Sequence, residues 1–82
     1  MSLAIPIHNK SEAPLTMRLE PWAETFIIKP MSYVTLRGNF GENLDQFEVH
    51  YWSDNFIECF VPPNTKVEEN GRILVPFTGA ES

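Results

Sequence analysis

A single cysteine, Cys59, excludes an intramolecular disulfide and any CxxC metal motif. Basic residues are scarce as well. Lys10, Arg18, Lys29, Arg37, Lys66 and Arg72 are the only six, they form no run, and the formal charge is −5. That balance argues against a nucleic acid as partner, since phosphate backbones are bound by clustered Lys and Arg. No apolar run approaches the roughly 20 residues of a membrane span, and the start of the chain lacks a basic-then-apolar leader pattern. A cytoplasmic protein that does not enter the membrane is expected. No GxSxG, P-loop, HExxH or dinucleotide fingerprint occurs, so no motif names a reaction. Helical periodicity is missing too. The one helix-compatible window, residues 21–26, is too short to count.

What the chain does have is short alternating segments separated by Pro, Gly and Asn. Apolar residues make up 43% of the sequence, close to the usual share of a folded domain. Its 82 residues make one domain, spanning residues 1–82, with residues 1–3 expected to be disordered. Residues 4–8 (AIPIH) place Ile5 and Ile7 on one side, and Pro6 confines that strand to an edge. Residues 15–20 (LTMRLE) turn Leu15, Met17 and Leu19 inward and Thr16, Arg18 and Glu20 outward. After a turn at Pro21, residues 24–29 present Phe26 and Ile28. After a second turn at Pro30, residues 33–37 present Val34 and Leu36. Residues 38–43 (GNFGEN) form the longest Gly/Asn loop and are expected to be the most mobile segment. A short strand at 65–68 and one at 72–77, with Ile73, Val75 and Phe77 alternating, flank Asn70-Gly71. That dipeptide is the strongest hairpin signal in the chain. The pattern predicts an all-β fold, a small antiparallel sandwich or flattened barrel of about seven short strands.

Residues 46–61 (QFEVHYWSDNFIECFV) are the most informative stretch, because they read as a hairpin with two apolar faces. A three-residue loop, Ser53-Asp54-Asn55, with Asn55 left-handed, sets the register. Phe47, Val49 and Tyr51 then oppose Val61, Cys59 and Ile57 on a core face, where Val49→Asp is expected to unfold the protein. Glu48, His50 and Trp52 oppose Phe60, Glu58 and Phe56 on the other. A two-residue loop would move every side chain of residues 56–61 to the opposite face. Three large aromatics at about 150–250 Å² each exceed what a monomer usually leaves open, so the second face must be covered. Trp22, Tyr33 and Phe40 are available for part of that cover.

The run Leu19-Glu20-Pro21-Trp22-Ala23-Glu24, with Pro30 six residues on, resembles a pattern in short bacterial all-β proteins without an assigned activity. In those the stretch often reads LEPWGE, followed by a strand and a Pro-Gly turn. Ala23 and Met31 stand here where that pattern has glycine. The resemblance covers residues 9–37 best, and it implies the fold but no chemistry. The strand–Pro turn–strand rhythm is also similar to cupin-like jelly rolls, whose glycine-plus-histidine metal motif is missing.

Candidate site residues are Trp52, Phe56, Phe60, His50, Glu48, Glu58 and Trp22, as a ligand or partner face. His50 between Glu48 and Glu58 could ligate a metal or act as a base. The plainer alternative is a cross-strand ion pair with Glu58, worth about 0.2–1 kcal/mol. His8 is the second imidazole, and a site shared with His50 is a further alternative. Cys59 is expected to be an inert core thiol. No catalytic residue, metal or cofactor is expected. The aromatic face can be core, a subunit contact or a small-molecule platform. The leading expectation is a non-enzymatic assembly module, a homo-oligomer joined through this face or through strand edges. A cupin-like or carbohydrate-binding module is the alternative.

Overall fold

The computed structural model describes residues 2–41, 44–52 and 54–76. Within them lie eight strands and no helix: β1 Leu3–Asn9, β2 Leu15–Glu20, β3 Glu24–Ile28, β4 Ser32–Gly38, β5 Glu48–Tyr51, β6 Phe56–Phe60, β7 Lys66–Glu69 and β8 Arg72–Ile73. They form two four-stranded sheets, β1-β4-β7-β8 and β3-β2-β6-β5, packed as a sandwich and not as a closed barrel. Among the described residues no helix is long and apolar enough to cross a membrane.

Alternation builds the core as the sequence predicts. Met17, Leu19, Phe26, Ile28, Val34, Leu36, Ile57, Cys59 and Val67 point between the sheets and are buried. Leu3, Ile5 and Ile7 of edge strand β1 pack against them. Leu3, expected to be disordered, therefore belongs to the fold: it opens β1 opposite Gly38. Met1 lies outside the described residues. Asn supplies several left-handed turn positions, at Asn55 (φ 62°), Asn64 (φ 67°) and Asn70 (φ 51°). Asn70 and Gly71 close the β7–β8 hairpin as a two-residue turn between Glu69 and Arg72.

Four expectations need correction. The sheets are not wholly antiparallel, because β2 runs parallel to β6, with Arg18 beside Glu58 and Leu19 beside Cys59. The loop after β4 is anchored, since the Phe40 ring is fully buried and meets Phe47 edge-on at 5.5 Å between centroids. Glu42 and Asn43 lie outside the described residues. The last strand is shorter than its alternation predicts. The two-residue turn places Ile73 across from outward-facing Glu68, so Ile73 and Val75 are exposed. Leu74 instead turns inward and donates its N–H to the Val67 carbonyl at 2.8 Å. Phe77 lies outside the described residues. Finally, the hairpin's inner face is covered only on β6. Val49 is 46% and Tyr51 73% exposed, because the facing sheet does not reach over β5. Val49 is no core residue, and an aspartate there meets water.

One polar residue locks the far corner. Asn9, at the end of β1, is buried, and its Nδ2 donates to the carbonyls of Ala13 (2.8 Å), Ile28 (3.0 Å) and Lys29 (3.2 Å). Its Oδ1 accepts from the Ser11 N–H at 3.0 Å and the Ser11 hydroxyl at 2.8 Å. A buried amide with all these partners joins the end of β3 to the opposite sheet.

Candidate functional site: the outer face of the β3-β2-β6-β5 sheet

The β5–β6 register is the one expected from a three-residue loop. Glu48 opposes Phe60, Val49 opposes Cys59, His50 opposes Glu58, and Tyr51 opposes Ile57. Asp54 and Asn55 are both left-handed, and Ser53 lies outside the described residues. Glu48, His50, Trp52, Phe56, Glu58 and Phe60 therefore share one outward face.

The centre of that face is an ion network that needs the parallel β2–β6 pair. Arg18 Nη2 reaches Glu58 Oε2 at 2.5 Å, and its Nε reaches Glu20 Oε2 at 2.6 Å. Trp52 Nε1 donates to Glu58 Oε1 at 2.7 Å. The Arg18 guanidinium also lies 5.5 Å from the Phe56 ring centroid, within cation–π range. The Arg18 bond, and after it the Trp52 bond, hold the Glu58 carboxyl below the usual carboxylate range. Arg18 in turn is held charged, by Glu58 first and then Glu20. Glu58 thus has both oxygens engaged and is unavailable to His50. His50 Nε2 lies 3.1 Å from Glu48 Oε1, its neighbour on the same strand face, and its ring tilts against Phe60 at 5.1 Å.

The aromatics are only partly covered. Trp52 is 59% and Phe60 36% exposed, while Phe56 is half-buried under Arg18. Trp22, in the β2–β3 turn, sits at the margin of the face. With Phe60 and Glu48 it lines a shallow groove of about 460 Å³ that Phe47 and Pro62 also border. A second hollow is formed by Glu48, Val49, His50, Tyr51 and Trp52. The two meet at Glu48, so one aromatic band runs on the outer face from Trp22 through Phe60 and His50 to Trp52, while Tyr51 borders the second hollow from the inner face of β5. Tyr33 and Phe40 do not cover it: Tyr33 stacks on His8 at 4.9 Å on the outer face of the other sheet, and Phe40 is core.

All seven expected residues therefore lie on or beside one face, with Trp22 at its edge. His8 and His50 lie on outer faces of opposite sheets, so the structure does not bring them together. Among the described residues no three His, Cys, Asp or Glu side chains group as a metal-ligand set. Cys59 is fully buried on the inner face, and burial pushes its thiol up to about 11. The residues that sequence reasoning missed are Arg18 and Glu20. Their outward orientation on β2 was readable, but their meeting with Glu58 depends on a pairing across 40 positions of the chain. No family model, no curated protein and no solved structure matches the chain.

Proposed function

We propose that this protein is a non-enzymatic binding and assembly module that joins a second copy of itself through the β5 side of the β3-β2-β6-β5 sheet. The observation that carries this reading is the uncovered aromatic band. Trp22, Trp52 and Phe60 are between 36% and 59% exposed, which leaves about 300 Å² of aromatic surface open on one face. That reaches the lower end of the largest patch on a typical monomer, and such patches mark contact sites. The central charges do not oppose docking, because Arg18, Glu20 and Glu58 already satisfy one another. Self-association needs one self-complementary surface and no second gene product. The double change Trp52→Ser with Phe60→Ser is expected to give monomers in sedimentation while circular dichroism still reports the β-fold. A wild type that stays monomeric at millimolar concentration overturns the reading. Unfolding of the double variant would make those aromatics core.

The groove favours a second reading, a small-ligand module. Trp22 and Phe60 offer ring faces to a sugar, and Asp45 and Glu48 on the same groove offer acceptors for its hydroxyls. A monomeric protein whose tryptophan fluorescence responds saturably to one saccharide would replace the first reading with this one.

A further inference from the structure

The sheet that carries the aromatic band ends in two open edges, β3 and β5, and the polarity of each can be read from its pairing. Trp52 N–H donates to the Phe56 carbonyl at 3.0 Å, so Trp52, His50 and Glu48 turn their backbone groups toward β6. On the other side of β6, Val61 N–H reaches Glu20 and Thr16 N–H reaches the Asn55 carbonyl, which gives the same phase. Alternate residues of an antiparallel ladder point the other way. The N–H and C=O groups of Val49 and Tyr51 therefore face out of the sheet, and among the described residues no backbone partner meets them.

Other edges of the sandwich are blunted. β1 carries Pro6, and β8 is two residues long. β3 is followed by Lys29, which lies 3.9 Å from Glu69 of the opposite sheet, and Asn9 ties down its last residue. β5 has no proline, no lysine and only β6 beside it.

We infer that β5 pairs antiparallel with β5 of a second copy across a two-fold axis at His50. The inference rests on the assembly reading above and narrows its contact to the β5 edge, where Trp52 enters the contact while Phe60 and Trp22 stay on the open outer face. A two-fold axis normal to the sheet must pass midway between the two copies of a single residue, because opposed residues share a face. An axis at His50 sets Val49 against Tyr51 of the second copy, twice. The four free N–H groups and four free carbonyls of these residues then form four hydrogen bonds with none left over. An axis at Val49 sets Tyr51 against Phe47 instead. The Phe47 N–H is already given to the Leu44 carbonyl at 3.2 Å, so each Tyr51 carbonyl stays unmatched. That register gains a Glu48–His50 contact, but an exposed ion pair is worth less than the carbonyl it strands.

Side chains agree with the His50 axis. Val49 and Tyr51, exposed in one copy, form a four-residue apolar cluster in two. On the other face each Glu48 lies across from Trp52, so the two Glu48 carboxylates stay about 13 Å apart, beyond the ~8 Å screening length at physiological salt. For a chain of net charge −5, this separation removes the closest repulsion between copies. Val49, Tyr51, Trp52 and the strand edges of both copies together bury on the order of 1,000 Å², the lower limit of a specific interface. The dimer is therefore concentration-dependent, with a dissociation constant on the order of micromolar or weaker.

Cysteine pairing tests the axis. In the His50 register, His50→Cys places two thiols on a non-hydrogen-bonded pair, with Cβ atoms about 4.5–5.5 Å apart, near disulfide geometry. Buried Cys59 can stay in place. Under mild oxidation His50→Cys is expected to form a covalent dimer at least tenfold faster than Val49→Cys or Ile27→Cys. Val49→Lys, on an exposed position, is expected to raise the dissociation constant at least tenfold with an unchanged circular dichroism spectrum. A dimeric wild type in which Ile27→Cys or Val49→Cys cross-links faster than His50→Cys overturns this pairing and leaves self-association standing. A wild type monomeric at millimolar concentration removes both.

Discussion

β3 and β5 border the same sheet and have similar lengths, and each points two apolar side chains inward, yet the chain treats them differently. In β3 the inward Phe26 and Ile28 are buried. Asn9 holds its last carbonyl, and Lys29 reaches across to Glu69. In β5 all four residues are exposed, including the inward Val49 and Tyr51. Composition does not explain this, since Glu-Val-His-Tyr is as good a strand as Glu-Thr-Phe-Ile-Ile. The difference lies in what the opposite sheet places over each edge. One end of the sandwich is fastened by a buried polar knot, and the other is left with backbone groups and aromatics facing outward.

The largest expected effect comes from loosening the fastened end. Asn9→Ala removes five hydrogen bonds at a site 4% exposed, at the corner where the end of β1 meets the end of β3. The cost should be about 3 kcal/mol, a large share of the roughly 4–12 kcal/mol available to a chain of this size. Urea unfolding gives the number. A loss below about 1 kcal/mol would mean that the β3 corner is held by packing alone, and the contrast with β5 would narrow to the aromatics.

Much of this architecture was legible in the sequence because it is local. A period of two and the turn chemistry at Asn55 and Asn70-Gly71 set the strands and the β5–β6 register, down to His50 opposite Glu58. What was hidden depends on distant pairing. The parallel β2–β6 contact carries Arg18 to Glu58, so the expected His50–Glu58 ion pair gives way to Arg18–Glu58 and His50–Glu48. Phe40 sat in a Gly/Asn loop, where neither period nor propensity marks a core residue, and it fills the core all the same. Whether Val49 is covered is set by the reach of the other sheet, which no alternation on β5 reports.

Between the two edges, the Arg18–Glu58 contact offers a sharper probe. Glu58 is held below its ordinary value of 4.5 by Arg18 first and Trp52 second. A carboxyl lowered on folding contributes its stability above the unfolded value, and that contribution is lost as pH falls through the folded value. Glu58→Gln should therefore be less stable than wild type at pH 7, with the gap closing as pH drops below about 4.5. Glu68, lowered by Arg37 on the other sheet, acts in the same direction in both proteins and cancels in the comparison. Urea midpoints of the two proteins from pH 7 to pH 3 test it. A gap that stays constant over that range would show that Glu58 acts through shape and not through charge.

The smallest effect lies in the turn that leads out of β3. Met31 has φ 55° and is 67% exposed, with its N–H given to the Ser11 carbonyl at 3.2 Å. Ala23, in the turn that leads into β3, has φ 58°. A non-glycine residue in the left-handed region costs about 1–2 kcal/mol. Glycine removes that cost but adds roughly 0.5–1 kcal/mol of unfolded-state entropy. Met31→Gly should therefore gain about 0.5–1 kcal/mol, a rise of about 3–6 °C in Tm. The gain should appear without any change in the proposed β5 pairing, because the turn lies at the fastened end and not beside β5. A fall in Tm would mean that the Met31 side chain, exposed as it is, contributes more to that corner than its backbone costs.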